Sequence, residues 1–203
     1  RARITLARPD KHNAMTPRLL EELEHALWEA DDDSSVHCVV LRGEGASFCS
    51  GYDLTALGGT KRPGYRSGRS HDDDIWLIER GNRRIRALWE MHKPSIAQVH
   101  GNCLAGGTDL AMACDIVIAR DDAEFGYPEI HLGFVPAMVM AILRRKVPEV
   151  QAFELVTKGD RISAQEAKDI GIVTRVFPAF THTENVKQYL QVFGQKSRAA
   201  LIR

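Results

Sequence analysis

The chain is poor in aromatic residues, 7% of its 203 positions. It has no apolar run near the roughly 20 residues that a membrane-spanning helix requires. It lacks a C-x-x-C pair, an H-E-x-x-H run, a G-x-G-x-x-G fingerprint and a G-x-S-x-G elbow. Those absences remove the common signatures of thiol redox centres, zinc hydrolysis, dinucleotide binding and serine hydrolases. Gly58-Gly59-Thr60-Lys61 has neither the spacing nor the order of a phosphate loop. Asp31–Asp33 and Asp72–Asp74 lack the glycine and glutamate of a calcium loop and read as solvated charge runs. The eight histidines show no metal spacing. Basic and acidic residues balance at 27 each, so no surplus charge draws nucleic acid or an anionic membrane. The four cysteines, Cys38, Cys49, Cys103 and Cys114, sit among apolar or small neighbours. Such thiols behave as small buried hydrophobes, which implies a reducing, cytoplasmic setting without disulfides. No apolar leader opens the chain; Arg1 to Leu6 reads as a strand already under way, as if the N-terminus were trimmed.

What is present reads as an α/β protein. The composition, 44% hydrophobic and 27% charged, is that expected of a soluble globular protein. Residues 2–7 alternate as a strand. Thr16 and Pro17 are the cap and first residue of a helix with an apolar stripe at Leu20, Leu23, Leu27 and Trp28. Residues 36–41, 95–99, 115–119 and 172–177 read as strands. Helices are expected at 74–90, 105–112, 136–146, 148–158, 163–170 and 181–203. In the 74–90 helix, Ile75, Ile78, Ile85, Leu88 and Trp89 point inward, and Arg80, Arg83, Arg84 and Arg86 form its solvated face. Residues 43–57 form a glycine-rich loop, and 58–72 a flexible surface loop. No internal repeat is evident. The strand–helix alternation implies an α/β fold, with a core over residues 1–178. Residues 179–203 begin a C-terminal helical region that stops in mid-pattern, as if truncated.

Two glycine-bearing stretches carry the chemistry. One is Phe48-Cys49-Ser50-Gly51-Tyr52-Asp53-Leu54; the other runs from Gly101 to Leu110 and contains Ala105-Gly106-Gly107-Thr108-Asp109. A helix beginning near Ala105 offers free N–H groups and a positive dipole end. Gly106 and Gly107 let a carbonyl approach closely, or merely permit tight helix packing. A turn at Ser50-Gly51-Tyr52 can aim a second N–H at the same oxygen, as stabilisation of an enolate demands. Asp109 lies one turn into that helix. Glu129 follows Tyr127-Pro128, which holds it on a stiff turn. Two carboxyls beside one water divide acid and base duties.

These stretches resemble the crotonase superfamily, the enoyl-CoA hydratase/isomerase family, in five places. They are Arg8-Pro9-Asp10-Lys11-His12-Asn13-Ala14-Met15, the 48–54 loop, Lys93-Pro94 through Asp115, Phe125-Gly126-Tyr127-Pro128-Glu129-Ile130-His131-Leu132-Gly133, and Ile162 through Val173. The resemblance implies a spiral of ββα units. It implies an acyl-CoA thioester as substrate, its carbonyl held between the N–H groups of Tyr52 and Gly106. The catalytic acids then fall on Asp109 and Glu129. Lys11, His12, Ala14, Ser50, Asp53, Leu54 and Thr55 flank the coenzyme A moiety and the way in for the acyl chain. The resemblance implies no metal or separate cofactor, and a homotrimer or hexamer. Position 109 departs from the best-known hydratases, which carry Glu; the aspartate reaches about 1.5 Å less. Phe134 to Leu143 is similar to a segment of methylglutaconyl-CoA hydratases. The RNA-binding member of that group uses a lysine-rich helix, whereas the matching helix here bears Glu21, Glu22, Glu24, Glu29 and Asp31. The resemblance favours hydration of a 2-enoyl-CoA. The alternatives are a 3-enoyl/2-enoyl-CoA isomerase working through Glu129 alone, and a non-catalytic acyl-CoA-binding subunit.

Overall fold

A computed structural model describes residues 1–55, 83, 85–133 and 137–202. The elements in chain order are β1 (Ala2–Leu6), α1 (Pro17–Asp32), β2 (Val39–Gly43), β3 (Ser95–Val99), β4 (Asn102–Leu104), α2 (Gly106–Ala113), β5 (Ile116–Arg120), β6 (Glu124–Gly126), α3 (Ala137–Lys146), α4 (Glu149–Lys158), β7 (Arg161–Ser163), α5 (Ala164–Asp169), β8 (Arg175–Phe177), α6 (His182–Gly194) and α7 (Arg198–Leu201). Short 3-10 helices occupy Pro9–Lys11 and Pro128–Leu132.

Five strands form a parallel sheet in the order β1-β2-β3-β5-β8. Both faces of this sheet are covered, which is why its central strands read as unbroken apolar runs. Val39, Leu41, Ala97, Val99, Val117 and Ala119 join the main core with Leu20, Leu23 and Leu27 of α1 and Leu110 of α2. The alternate residues Cys38, Val40, Ile96 and Ile118 pack with Val186 and Leu190 of α6.

A second sheet, β4-β6-β7, has β4 and β6 parallel and β7 antiparallel to β6. It exposes a repeat that the sequence hides. β3 turns through His100-Gly101 into β4 and then α2; β5 turns through Asp121-Asp122-Ala123 into β6 and then, beyond the Pro128–Leu132 turn, α3. After β2 the chain likewise enters the second layer. Cys49 pairs with Cys103, its N–H donating to Asn102 O at 3.1 Å while Leu104 N–H donates to Cys49 O at 3.0 Å. The β3 and β5 units thus place one strand in each layer, and the β2 unit a bridged residue in the second, the ββα spiral that was expected. The corner at Gly101 requires glycine: φ is +53°, and a Cβ would stand 2.0 Å from Ala46 O.

Several local expectations shift. Thr16 does cap α1, its side chain accepting from Leu19 N–H at 3.2 Å, but Trp28 is 60% exposed and Leu19 and Ala30 complete the buried stripe instead. The strand expected at 36–41 forms at Val39–Gly43, in register with Ser95 on β3. The C-terminal helix breaks between α6 and α7. The short strands β4, β6 and β7 were not anticipated, because three residues carry no period. Ile85 and Leu88 are buried as expected, with Trp89 half-buried. The 58–72 loop, Ile75, Ile78, Arg80, Arg84 and Phe134 to Pro136 lie outside the described residues.

Candidate active site

The 48–55 loop is stitched to the turn that follows β1. Met15 N–H donates to Gly51 O at 2.7 Å, and Asp53 N–H donates to Met15 O at 2.9 Å. Tyr52 lies between these two bonds, so backbone alternation turns its own N–H away from Met15. Gly51 borders the start of α2: a Cβ on it would sit 2.7 Å from Ala105 Cβ and 3.4 Å from Gly106 N. The Tyr52 ring covers Gly106, whose added Cβ would meet Tyr52 Cε2 at 3.0 Å and Met15 Cε at 2.5 Å. The two proposed oxyanion donors, Tyr52 and Gly106, thus come from adjoining backbone segments.

Gly106 is the first residue of α2, where no carbonyl of the same helix can accept its N–H. Ala105, just before it, holds φ +55° and ψ −133°. That conformation is costly for any residue with a Cβ and is typical of a strained functional turn. Gly107 serves packing: a Cβ there would lie 2.2 Å from Cys49 O. The alternative weighed from sequence, close helix packing, therefore accounts for Gly107 and contributes at Gly106.

The two carboxyls lie together in buried surroundings. Asp109 is 4% exposed, and its Oδ1 has no hydrogen-bond partner. Glu129 is half-buried, and its Oε2 is equally unpartnered. Burial raises the Asp109 carboxyl well above the usual carboxylate range; the Glu129 charge raises it further, and the Tyr127 hydroxyl partly offsets both. Burial also raises Glu129, against its own backbone N–H. Asp109 is the deeper acid and titrates against an already ionised Glu129, so the repulsion falls on Asp109. Such a pair holds one proton between them over a broad pH interval. Two grooves elsewhere, between β1 and α1 and where α1 meets residues 83–92, do not include either acid.

The residues expected around the coenzyme cluster at one locus, several of them engaged locally. Lys11 and His12 are exposed, and His12 Nδ1 shares a hydrogen bond of 3.0 Å with Ser47 Oγ. Ser50 N–H donates to His12 O at 3.0 Å. The Ala14 carbonyl accepts from Arg8 Nη1. Asp53 pairs with Arg8 Nη2 at 3.1 Å and accepts from Thr55 N–H at 3.0 Å. Leu54 and Thr55 are exposed beside it. Asn13 organises this locus although the motif alone gave it no role. Its Oδ1 accepts from Arg8 N–H at 2.8 Å, and its Nδ2 donates to Glu44 O at 2.9 Å and Ser47 O at 2.8 Å. Its burial and its φ of +56° suit asparagine. Sequence reasoning also passed over Tyr127, wholly buried and against Met112.

Proteins of one family resemble most of this chain. The family model described as enoyl-CoA hydratase/isomerase matches residues 2–202. A probable enoyl-CoA hydratase of Bacillus subtilis (strain 168) is 37% identical over 163 residues, covering 80% of this chain and 60% of that protein. The chain thus spans three-fifths of that relative's length. A peroxisomal Delta(3,5)-Delta(2,4)-dienoyl-CoA isomerase of Arabidopsis thaliana is 34% identical over 203 residues, 98% of this chain and 73% of that one. The crystal structure of an enoyl-CoA hydratase from Mycobacterium smegmatis superposes with a TM-score of 0.90 at 31% identity, covering 98% of this chain and 75% of that one.

Proposed function

Since the chain belongs to the enoyl-CoA hydratase/isomerase family of the crotonase superfamily, we propose that it adds water to a 2-enoyl-CoA to give a 3-hydroxyacyl-CoA. The observation that carries this reading is the pair Asp109 and Glu129, each with one buried, unpartnered carboxyl oxygen, with Asp109 in the first turn of α2. The Tyr52 and Gly106 N–H groups hold the thioester oxygen as it gains negative charge. One such donor is worth about 2.7–4 kcal/mol in the transition state. The reacting form is the less populated one, with Asp109 ionised and the pair's proton on Glu129: Asp109 takes a proton from the attacking water as its oxygen adds to C3. Glu129, protonated, delivers its proton to C2. Both protons come from groups of this chain or from the water, so the step needs no metal or redox partner.

The test is loss of enoyl-thioester absorbance with crotonyl-CoA. Alanine at Asp109 or at Glu129 should each lower kcat by about 10²–10⁴-fold. Unchanged turnover in both variants would remove the two-carboxylate mechanism. Because burial holds both carboxyls high, turnover should fall on the acid side at a pH above the ordinary carboxylate range of about 4.

Similarity to the Arabidopsis isomerase supports a second reading, double-bond migration through Glu129 alone. In that case a 3-enoyl-CoA would be converted without a hydroxy product, and Asp109→Asn would retain activity. A trimeric or hexameric assembly is also proposed. Trp28, Val150, Phe153 and Phe180 leave large apolar side chains exposed on the described surface, and light scattering measures the state directly.

A further inference from the structure

Asn13 is wholly buried, and its side-chain amide bonds only to backbone. Its N–H donates to Arg8 O at 2.9 Å and its Oδ1 accepts from Arg8 N–H at 2.8 Å, which closes the turn after β1. Its Nδ2 donates to Glu44 O at 2.9 Å and to Ser47 O at 2.8 Å, and so ties that turn to the chain leaving β2. An amide presents its donors and its acceptor in one rigid plane, so the two segments are held at a fixed spacing. His12 and Asn13 stand at φ +48° and +56°. Such conformations are costly for residues with a Cβ and persist only where the surroundings hold them. Residues 12–15 then run beside residues 50–53. Ser50 N–H donates to His12 O at 3.0 Å, Met15 N–H to Gly51 O at 2.7 Å and Asp53 N–H to Met15 O at 2.9 Å. Met15 and Tyr52 pair in parallel, so the place of the 12–15 turn sets the direction of the Tyr52 N–H on the opposite edge.

We propose that Asn13 is a positioning residue, whose side-chain amide fixes the 12–15 turn against the 44–47 loop and thereby aims the Tyr52 N–H at the thioester oxygen. The inference rests on the reading above in which the Tyr52 and Gly106 N–H groups hold that oxygen. The Gly106 donor has its own support, because it opens α2. The loop that carries Tyr52 has two supports. Behind it, Cys49 is bonded to β4 through Asn102 O and Leu104 N–H. Beside it lies the turn that Asn13 holds. Loss of the Asn13 amide loosens the second support and leaves the first in place. The loop then stays attached while one donor drifts off line. A misplacement of about 1 Å is enough to cost about 10²-fold in rate.

Asn13→Gly keeps the left-handed backbone within reach and removes the amide. Asn13→Asp keeps the size and sets an oxygen in place of the Nδ2 donors, against Glu44 O and Ser47 O. Two readouts are taken: steady-state kinetics with crotonyl-CoA, and the infrared carbonyl band of bound butyryl-CoA labelled with ¹³C at the thioester carbon. That ligand is saturated and cannot be hydrated. In the unaltered protein its band should lie below that of the free thioester, because two N–H groups polarise the carbonyl. In both variants the shift should be roughly halved and kcat about 10²-fold lower, as for one lost donor, with KM changed less than about threefold. A role confined to stability would lower the urea midpoint and leave the band of the folded, saturated protein where it was. An unmoved band in a folded variant therefore overturns the proposal, whatever happens to kcat. Failure of both variants to fold would overturn it too, by showing that Asn13 holds the whole fold rather than the loop. Absence of any shift in the unaltered protein would remove the paired donors and the proposal together. Should the unaltered protein shift the band yet turn over no 2-enoyl-CoA, only the hydratase reading fails, and the band still judges Asn13.

Discussion

Asp109 combines two demands that conflict energetically. Its Oδ1 is sealed from solvent without a donor, which penalises ionisation, yet the proposed chemistry needs it ionised. Its carboxyl in the folded chain is held above the unfolded range. Its protonated form therefore favours folding at low pH, and that contribution is lost as pH rises from the unfolded value, about 4, through the raised folded value. Glu129, raised in the same direction, adds to the loss. Replacing Asp109 by Asn removes the buried charge. It should stabilise the fold by about 1 kcal/mol at neutral pH while slowing hydration as the alanine variant does, and the stability gain should vanish toward acid. Urea unfolding at several pH values checks this; a variant less stable at neutral pH would contradict it. Both acids were legible in the sequence as carboxylates near glycine-rich turns. Their burial and missing partners were not, since Asp109 on a helix could equally have faced water.

At the scale of elements, α2 and the 48–55 loop are locked together at Gly107. Helix propensity alone predicts that alanine there would help by about 1 kcal/mol. The structure predicts the reverse, because the added methyl would fall 2.2 Å from Cys49 O, a backbone atom that cannot swing away. Gly107→Ala should destabilise by roughly 1–3 kcal/mol. It should also lower kcat, since Cys49 leads directly into Ser50-Gly51-Tyr52. Thermal unfolding and turnover together test this, and a variant more stable than the parent would refute the close contact. The helices were readable because each carries its own signals: Thr16-Pro17 at the start of α1, and the Ser163–Glu166 capping box that opens α5. The three-residue strands β4, β6 and β7 have no such signal. β4 and β6 exist because the strand before each turns a corner and meets backbone already in place, and β7 because the chain leaving α4 runs antiparallel along β6.

Across the whole molecule, the cores on the two faces of the large sheet enclose all four thiols. Burial pushes Cys49 up to about 12 and Cys103 well above an ordinary thiol. Native protein should therefore react negligibly with a thiol reagent, whereas unfolding in urea should release all four at a rate that follows unfolding. Rapid labelling of the native state would show that these layers open. Apolar strands, helix caps, free buried cysteines and the residue types of the site are properties of local pattern, and the sequence by itself determined them. Which backbone segments adjoin was decided only in three dimensions. The meeting of Tyr52 with Gly106, of Tyr127 with Met112 and of Cys49 with Cys103 joins residues 15 to 54 positions apart, and no local periodicity encodes such contacts. The ββα repeat arises in the same way. Its units share a backbone path and sheet register, while their side chains answer to different neighbours and so need not look alike.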